Sequence, residues 1–291
     1  MQLEEKTKQT EEIVKKYLPK EEGNQKSVIE AMNYSVLAGG KRLRPMLMKE
    51  VFEMFGGTGT VIEPFMAAIE MIHTYSLVHD DLPAMDNDEF RRGKKTTWAK
   101  FDECTAILAG DGLLNLAFET ALLAAKEDNP HILEALTVLA KKAGIYGMIG
   151  GQTADIEAEK PKQDVDGQKL LFIHEHKTAA LIQAAMMIGA ILAGADSEAV
   201  QRIEKCAYNI GIAFQIQDDI LDVTSTQEVL GKPIGSDERN AKTTYVTLKG
   251  MEASVAEVKR LSREAIGILR QMPGDTLFLE ELIRMLTMRN N

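Results

Sequence analysis

Two aspartate clusters carry most of the chemistry open to this 291-residue chain: Asp80-Asp81-Leu82-Pro83-Ala84-Met85-Asp86 and Asp218-Asp219-Ile220-Leu221-Asp222. Each follows an apolar stretch that reads as helix, MIHTYSLVH before the first and IGIAFQIQ before the second. Carboxylates against an apolar helix are costly unless something cationic neutralises them. Asp218 and Asp222 stand four apart, so a helix stacks them on one face. Carboxylates without cysteine or paired histidine suit a hard cation such as Mg²⁺, usually shared with phosphate. Two clusters brought together would hold several Mg²⁺ ions around one diphosphate. The expected chemistry is therefore that of diphosphates.

Cationic side chains on glycine-bounded segments accompany the aspartates. Gly39-Gly40-Lys41-Arg42-Leu43-Arg44-Pro45 places three of them at a loop-to-helix junction, with Lys41 and Arg44 able to share a face. Backbone donors at a helix start, together with Lys and Arg, make an anion site. Arg91-Arg92-Gly93-Lys94-Lys95 follows the first cluster directly. His174-Glu175-His176-Lys177-Thr178, Gly231-Lys232 and Lys242-Thr243-Thr244 complete the set. One such run alone reads as a solvated face. Beside aspartates, in a chain of net charge −10, the set reads as a site for anions and metal ions. His73, seven residues before Asp80, lies two helical turns away on the same face.

Helices must position these groups. The chain is 45% hydrophobic, only 5% aromatic, and has eight prolines and fifteen methionines, a balance that favours helix over strand. The patterning predicts an amphipathic opening helix, then helices near 26–38, 43–55, 60–80, 102–125, 130–148, 166–193, 197–222, 241–247, 252–271 and 276–288. Gly39-Gly40 and Gly56-Gly57 are breaks, and VLGKPIGSDERN is a loop. Residues 179–195, AALIQAAMMIGAILAGA, approach the length of a membrane span, but their Ala, Gly and Gln183 fit a buried core helix better. No linker divides the chain, and clusters 138 residues apart (80 to 218) must work together, so residues 1–291 read as one all-α domain around a deep central cavity. The acidic balance disfavours a nucleic-acid binder. Two cysteines, Cys104 and Cys206, form no disulfide framework, and a reducing cytoplasm is expected.

These segments, in this order, resemble the trans-polyprenyl (isoprenyl) diphosphate synthases, most closely the bacterial farnesyl diphosphate synthases. The likeness rests on GGKRLRP, MIHTYSLVHDDLPAMDNDEFRRG, LAGDGLL, GGQTAD, HKTAAL, FQIQDDILD and GSDERNAKTTY, and runs from about residue 25 to the C-terminus. Glu89 and Lys95 depart from the Asp and Pro expected there. The resemblance implies an isoprenoid-synthase-type bundle of many helices, usually a homodimer, that is not embedded in a membrane. It implies Mg²⁺, three ions per active site, bound by Asp80, Asp86 and Asp218, with Asp81, Asp219 and Asp222 as further ligands or supporting partners. The allylic diphosphate is then held by those ions and by Arg91, Lys177, Thr178, Gln215, Lys232 and Lys242. Isopentenyl diphosphate, without metal, sits where Lys41, Arg44, His73 and Arg92 converge. Ionisation of the allylic diphosphate, condensation and proton loss follow, with the charge on the leaving group stabilised and water kept out. Thr178 and Gln215 stabilise the cation or position the diphosphate. No side chain is an obvious general base, which fits proton transfer to the released diphosphate.

The starters implied are dimethylallyl and geranyl diphosphate, and the product is C15 farnesyl diphosphate, with C20 geranylgeranyl diphosphate as the alternative. Tyr75 and Ser76, five and four residues before Asp80, stand where a growing tail would run; the family places an aromatic stopper at the position of Tyr75. A metal phosphohydrolase of the HD type would use His79-Asp80 but leaves Asp218–Asp222 and GGKRLRP without a role. A terpene cyclase needs no second diphosphate site, which Lys41, Arg44 and Arg92 argue for. A non-catalytic synthase subunit would be expected to have lost an aspartate cluster.

Overall fold

A computed structural model describes residues 2–160, 165–224 and 243–287. The helices are α1 (Gln2–Lys16), α2 (Lys26–Val36), α3 (Leu43–Met54), α4 (Glu63–Asp80), α5 (Thr97–Lys100), α6 (Glu103–Leu122), α7 (Ile132–Ala143), α8 (Met148–Ala158), α9 (Gly167–Ile173), α10 (Ala180–Leu192), α11 (Ser197–Thr224), α12 (Tyr245–Lys249), α13 (Met251–Leu269) and α14 (Leu277–Thr287). Among the described residues the strands are two-residue β1 (Phe90–Arg91) and β2 (Lys94–Lys95), paired antiparallel. The fold is all-α, as the composition implied. Two compact units are present: Met1–Lys49 with Gly59–Leu136, and Glu50–Thr58 with Thr137–Asn291.

In the first unit α4 is the central helix. Pro64, near its start, brings a preset φ and no N–H to a turn that needs none. Phe65, Met66, Ile69, Met71 and Ile72 are fully buried, the pattern of a helix enclosed on all sides. Each such side chain contributes about 1.5–3 kcal/mol relative to exposure. α6 packs against α4, and it buries Ala106, Ala109, Gly110, Leu113, Ala117 and Ala121, a stripe at helical spacing whose small residues let neighbouring helices approach. Asp102 caps α6 by accepting from the Thr105 backbone N–H at 2.8 Å. With its continuation to Lys126, α6 is also the one described helix long and apolar enough to cross a bilayer.

In the second unit α11 packs against α10 and α13. Twelve of the thirteen residues of α10 are buried (every one but Met187), so the apolar stretch weighed as a membrane span is a core helix. The expected helix over 166–193 is three pieces: α9, a π-helical segment at His174–Ala179, and α10. Its neighbours explain the wider turn. Gly151 on α8 lies against the backbone of Lys177, and Gly211 on α11 lies against Ala179, each so close that a Cβ would overlap it. At both points of closest approach the neighbouring helix presents a glycine, and such π turns recur at functional sites. α8 falls between two of the expected helices, 130–148 and 166–193. Gly151→Ala should therefore lower stability by about 1–3 kcal/mol, since the backbone rather than a flexible tip must move. Thermal denaturation checks this, and an unchanged melting temperature would mean that the close approach carries no load.

Candidate active site

The first aspartate cluster sits at the C-terminal end of α4 and in the turn after it. The Asp86 N–H donates to the Asp80 carbonyl at 2.9 Å and the Asn87 N–H to the Leu82 carbonyl at 3.1 Å, folding Asp86 back beside Asp80. Asp81 is buried and receives two donors from one arginine: Arg91 Nε at 2.8 Å and a terminal Arg91 nitrogen at 2.6 Å, both on Oδ1. Burial raises the Asp81 carboxyl above its ordinary range despite Arg91, with Asp88 and Asp86 adding to the rise. Arg91 is pushed down by its own burial, yet the Asp81 bond and the Asp81, Asp88 and Asp80 charges outweigh this and hold it up. Arg91 reaches Asp81 from the β1–β2 hairpin, whose turn residues Arg92 and Gly93 both have positive φ (54° and 74°), as a two-residue hairpin requires. Lys95, in place of the expected Pro, joins this pairing, and its carbonyl accepts from the Tyr34 hydroxyl at 2.7 Å.

Beside the hairpin is a cationic pocket lined by Glu70, His73, Arg91 and Arg92. Arg42, one of three cations in GGKRLRP, points inward: it donates to Glu70 at 2.7 Å and to the Val36 carbonyl at 2.6 Å, both ends of the Arg42–Glu70 pair being buried. Breaking such a pair costs about 3–5 kcal/mol, so Arg42 anchors the loop. Arg44 lies near Glu70 and Arg92, its guanidinium lowered to about 10 by burial, with Glu70 opposing and Arg92 adding. Arg92 donates to the Gly39 carbonyl and lies so close to Gly40 that a Cβ there would overlap its guanidinium. His73 is held well below its ordinary value by burial first, then by Arg44, Arg92, Arg91 and Arg42, and is neutral at pH 7. The structure thus brings Arg44, His73 and Arg92 together and leaves Lys41 exposed at the end of its loop.

His73 gives a pH signature. Below the ordinary histidine value of about 6.5 the unfolded chain takes up a proton that the folded chain resists. Stability is therefore complete above that pH and falls as acid is added towards the folded-state value. Between pH 7.5 and 5.5 the wild-type melting temperature should drop further than that of His73→Gln; parallel curves would contradict the neutral imidazole.

The second cluster is carried by α11, which stays helical through Thr224 and stacks Asp218 and Asp222 as the spacing predicts. Asp219 and Asp222 are buried. Asp219 accepts from the Tyr245 N–H at 2.7 Å and lies 4.0 Å from His174 Nε2. A cavity of about 170 Å³ is lined by Asp155, His174, Lys177, Thr178, Gln215, Asp218, Asp219, Thr243 and Thr244 among others. Lys177 donates to the buried Asp155 at 2.5 Å, and the Thr178 hydroxyl donates to Gln215 Oε1. Both Lys177 and Thr178 project from the π segment. Asp155 is a partner that no spacing rule singled out; its one signal is that it closes the GGQTAD segment. Lys232 and Lys242 lie outside the described residues.

The donor chemistry fits a hard divalent cation. Among the described residues no three His, Cys, Asp or Glu groups form a ready-made metal cage, but Mg²⁺ needs none: it is ordinarily held by one or two carboxylates, water and substrate phosphate. Asp81 is bonded to Arg91, and Asp219 to the Tyr245 backbone.

Comparison with known proteins shows the family. Residues 25–277 match the polyprenyl synthetase family. The farnesyl diphosphate synthase of Escherichia coli (strain K12) is 41% identical over 298 residues, covering 99% of this chain and 98% of that protein. The geranylgeranyl diphosphate synthase of Cyanophora paradoxa is also 41% identical, over 290 residues, covering 99% and 96%. A crystal structure of a Helicobacter pylori geranyltransferase complexed with magnesium and isoprenyl diphosphate superposes with a TM-score of 0.83 at 34% identity, covering 98% of this chain and 94% of that one.

Proposed function

The chain belongs to the polyprenyl synthetase family, and on that footing we propose that it makes farnesyl diphosphate, C15, by adding isopentenyl diphosphate to dimethylallyl and then geranyl diphosphate. The prenyltransferase activity is the family's; the C15 product is the proposal, because similar proteins include both C15 and C20 synthases. The observation that supports it most is within the first unit: a carboxylate turn (Asp80, Asp81, Asp86) beside a pocket lined by Arg91, Arg92 and a neutral histidine, His73, with Arg44 near that histidine. One diphosphate needs metal and the other does not, and this arrangement supplies both environments. A terpene cyclase or an HD-type phosphohydrolase has no use for the second.

The family uses Mg²⁺. Asp80, Asp86, Asp218 and Asp222 would hold it, three ions per site in this reading, and when bound it supplies the positive charge that stabilises the leaving diphosphate. Arg91 braces Asp81, while Lys177, Lys232 and Lys242 add cations for the allylic diphosphate. Thr178 and Gln215, bonded to each other, point oxygen dipoles into the same cavity. Arg44, Arg92, His73 and Lys41 take isopentenyl diphosphate, His73 as a neutral hydrogen-bonding group. The enzyme acts as a cytoplasmic homodimer, for which the exposed Ile107, Leu108 and Leu122 on α6 offer an apolar face and both cysteines remain unpaired.

Release of inorganic diphosphate from geranyl diphosphate tests the reading. It should require isopentenyl diphosphate as well as Mg²⁺; release from geranyl diphosphate alone would point to a cyclase or hydrolase. Arg44→Ala should chiefly raise the KM for isopentenyl diphosphate, by the loss of a charge-assisted contact of roughly 1.5–3 kcal/mol. A KM change confined to the allylic substrate would mean that the two diphosphate sites are reversed.

A further inference from the structure

We infer that His79 and Gly110 form a seat that fixes the ring of Tyr75 and thereby help to set product length, an inference that rests on the prenyltransferase reading above. Tyr75 and His79 are one turn apart on α4, and their rings meet edge to face with centroids 5.8 Å apart at 80°. The Tyr75 hydroxyl is buried with no hydrogen-bond partner among the described residues. Packing, not a polar contact, therefore orients the ring, and His79 supplies its one aromatic contact among the described residues.

His79 is in turn held by α6. Its Nε2 lies 3.1 Å from the Ile107 carbonyl oxygen, a hydrogen bond if that nitrogen carries the proton, and 3.9 Å from an Asp111 carboxylate oxygen. Between those two points stands Gly110, where a Cβ would overlap the imidazole ring itself. The glycine has no positive φ to explain it. It sits in a helix interior, where alanine would be favoured by about 1 kcal/mol. The missing side chain is what admits the ring. His79 is thus a positioning residue, acting through Tyr75 on the path of the hydrocarbon tail, and Gly110 acts through His79.

The test is the ratio of C20 to C15 product, read on total product so that changes in rate at the neighbouring Asp80 do not enter. His79→Ala should raise the ratio about tenfold, the scale on which a small change in an apolar wall discriminates substrates. His79→Gln, which keeps a donor for the Ile107 carbonyl, should recover part of the wild-type ratio. Gly110→Ala should alter the ratio in the wild-type background and leave it unaltered in the His79→Ala background, where the methyl meets no ring. Circular dichroism and melting temperature establish that each variant is folded. A folded His79→Ala enzyme with the wild-type ratio would overturn the seat. So would equal effects of Gly110→Ala in the two backgrounds. Failure of the underlying reading shows differently, as a wild-type chain that forms no prenyl product, and it removes this inference too.

Discussion

Asp80→Ala and Asp218→Ala should each lower turnover about a hundredfold or more, a loss on the order of 3 kcal/mol of transition-state stabilisation. Each change removes a carboxylate from a cluster that has few alternatives. Asp81 is held by Arg91, and Asp219 by the Tyr245 backbone and near His174, so each is fixed in its own place rather than at the lost position. The Asp86 N–H bonds the Asp80 backbone carbonyl, a contact that the substitution keeps, so the loss reports on chemistry. Excess EDTA should abolish turnover of the wild-type enzyme, and Mg²⁺ should restore it. Full activity in EDTA, or Asp80→Ala and Asp218→Ala enzymes with near-normal rates, would remove the metal from the account.

Tyr75→Ala should change what is made, shifting the main product from C15 to C20 or longer. Tyr75 precedes Asp80 by five residues, roughly 6–8 Å along the helix at about 1.5 Å per residue. A tail anchored by its diphosphate at the aspartates extends towards that level. Ser76, nearer to the line below Asp80, is small and bonds the His73 carbonyl at 2.9 Å, so it cannot serve as a stop. Burial, with a smaller contribution from Asp80, lifts the Tyr75 hydroxyl to about 12, so the residue is neutral throughout the working pH range. Because that hydroxyl has no partner among the described residues, Tyr75→Phe should keep the C15 product. Removing the ring leaves a cavity and costs stability of about 3–5 kcal/mol, so folding of Tyr75→Ala must be checked before its product is read. An unchanged C15 product from a folded, active Tyr75→Ala enzyme would place the stop on another wall residue.

Much of this site could be read from residue spacing. Aspartates at the ends of apolar helices announced both clusters, and Asp218 and Asp222 share a face because α11 continues as an ordinary helix to Thr224. Arg44, His73 and Arg92 do converge, as do Lys177, Thr178 and Gln215. What escaped the pattern was set by tertiary contact. The π segment at His174–Ala179 depends on Gly151 and Gly211 from helices far away in sequence, and a local hydrophobic period sees one helix there. The inward turn of Arg42 depends on Glu70, whose place in the middle of an apolar helix is the only sign that it awaits a cation. The β1–β2 hairpin is too short for an alternating pattern, and its Arg92-Gly93 turn was visible only as a charge run. Asp155 gained its meaning from Lys177, which the chain brings to it from 22 residues away.

Product chain length measures the central claim most directly. Purified enzyme would be incubated with Mg²⁺, isopentenyl diphosphate and, in separate reactions, dimethylallyl or geranyl diphosphate, and the dephosphorylated products separated by length. The account predicts a C15 alcohol from both starters, with little C20. No elongation from either starter would contradict the prenyltransferase reading for this chain, and a predominant C20 product would contradict the assignment of Tyr75 as the end of the pocket.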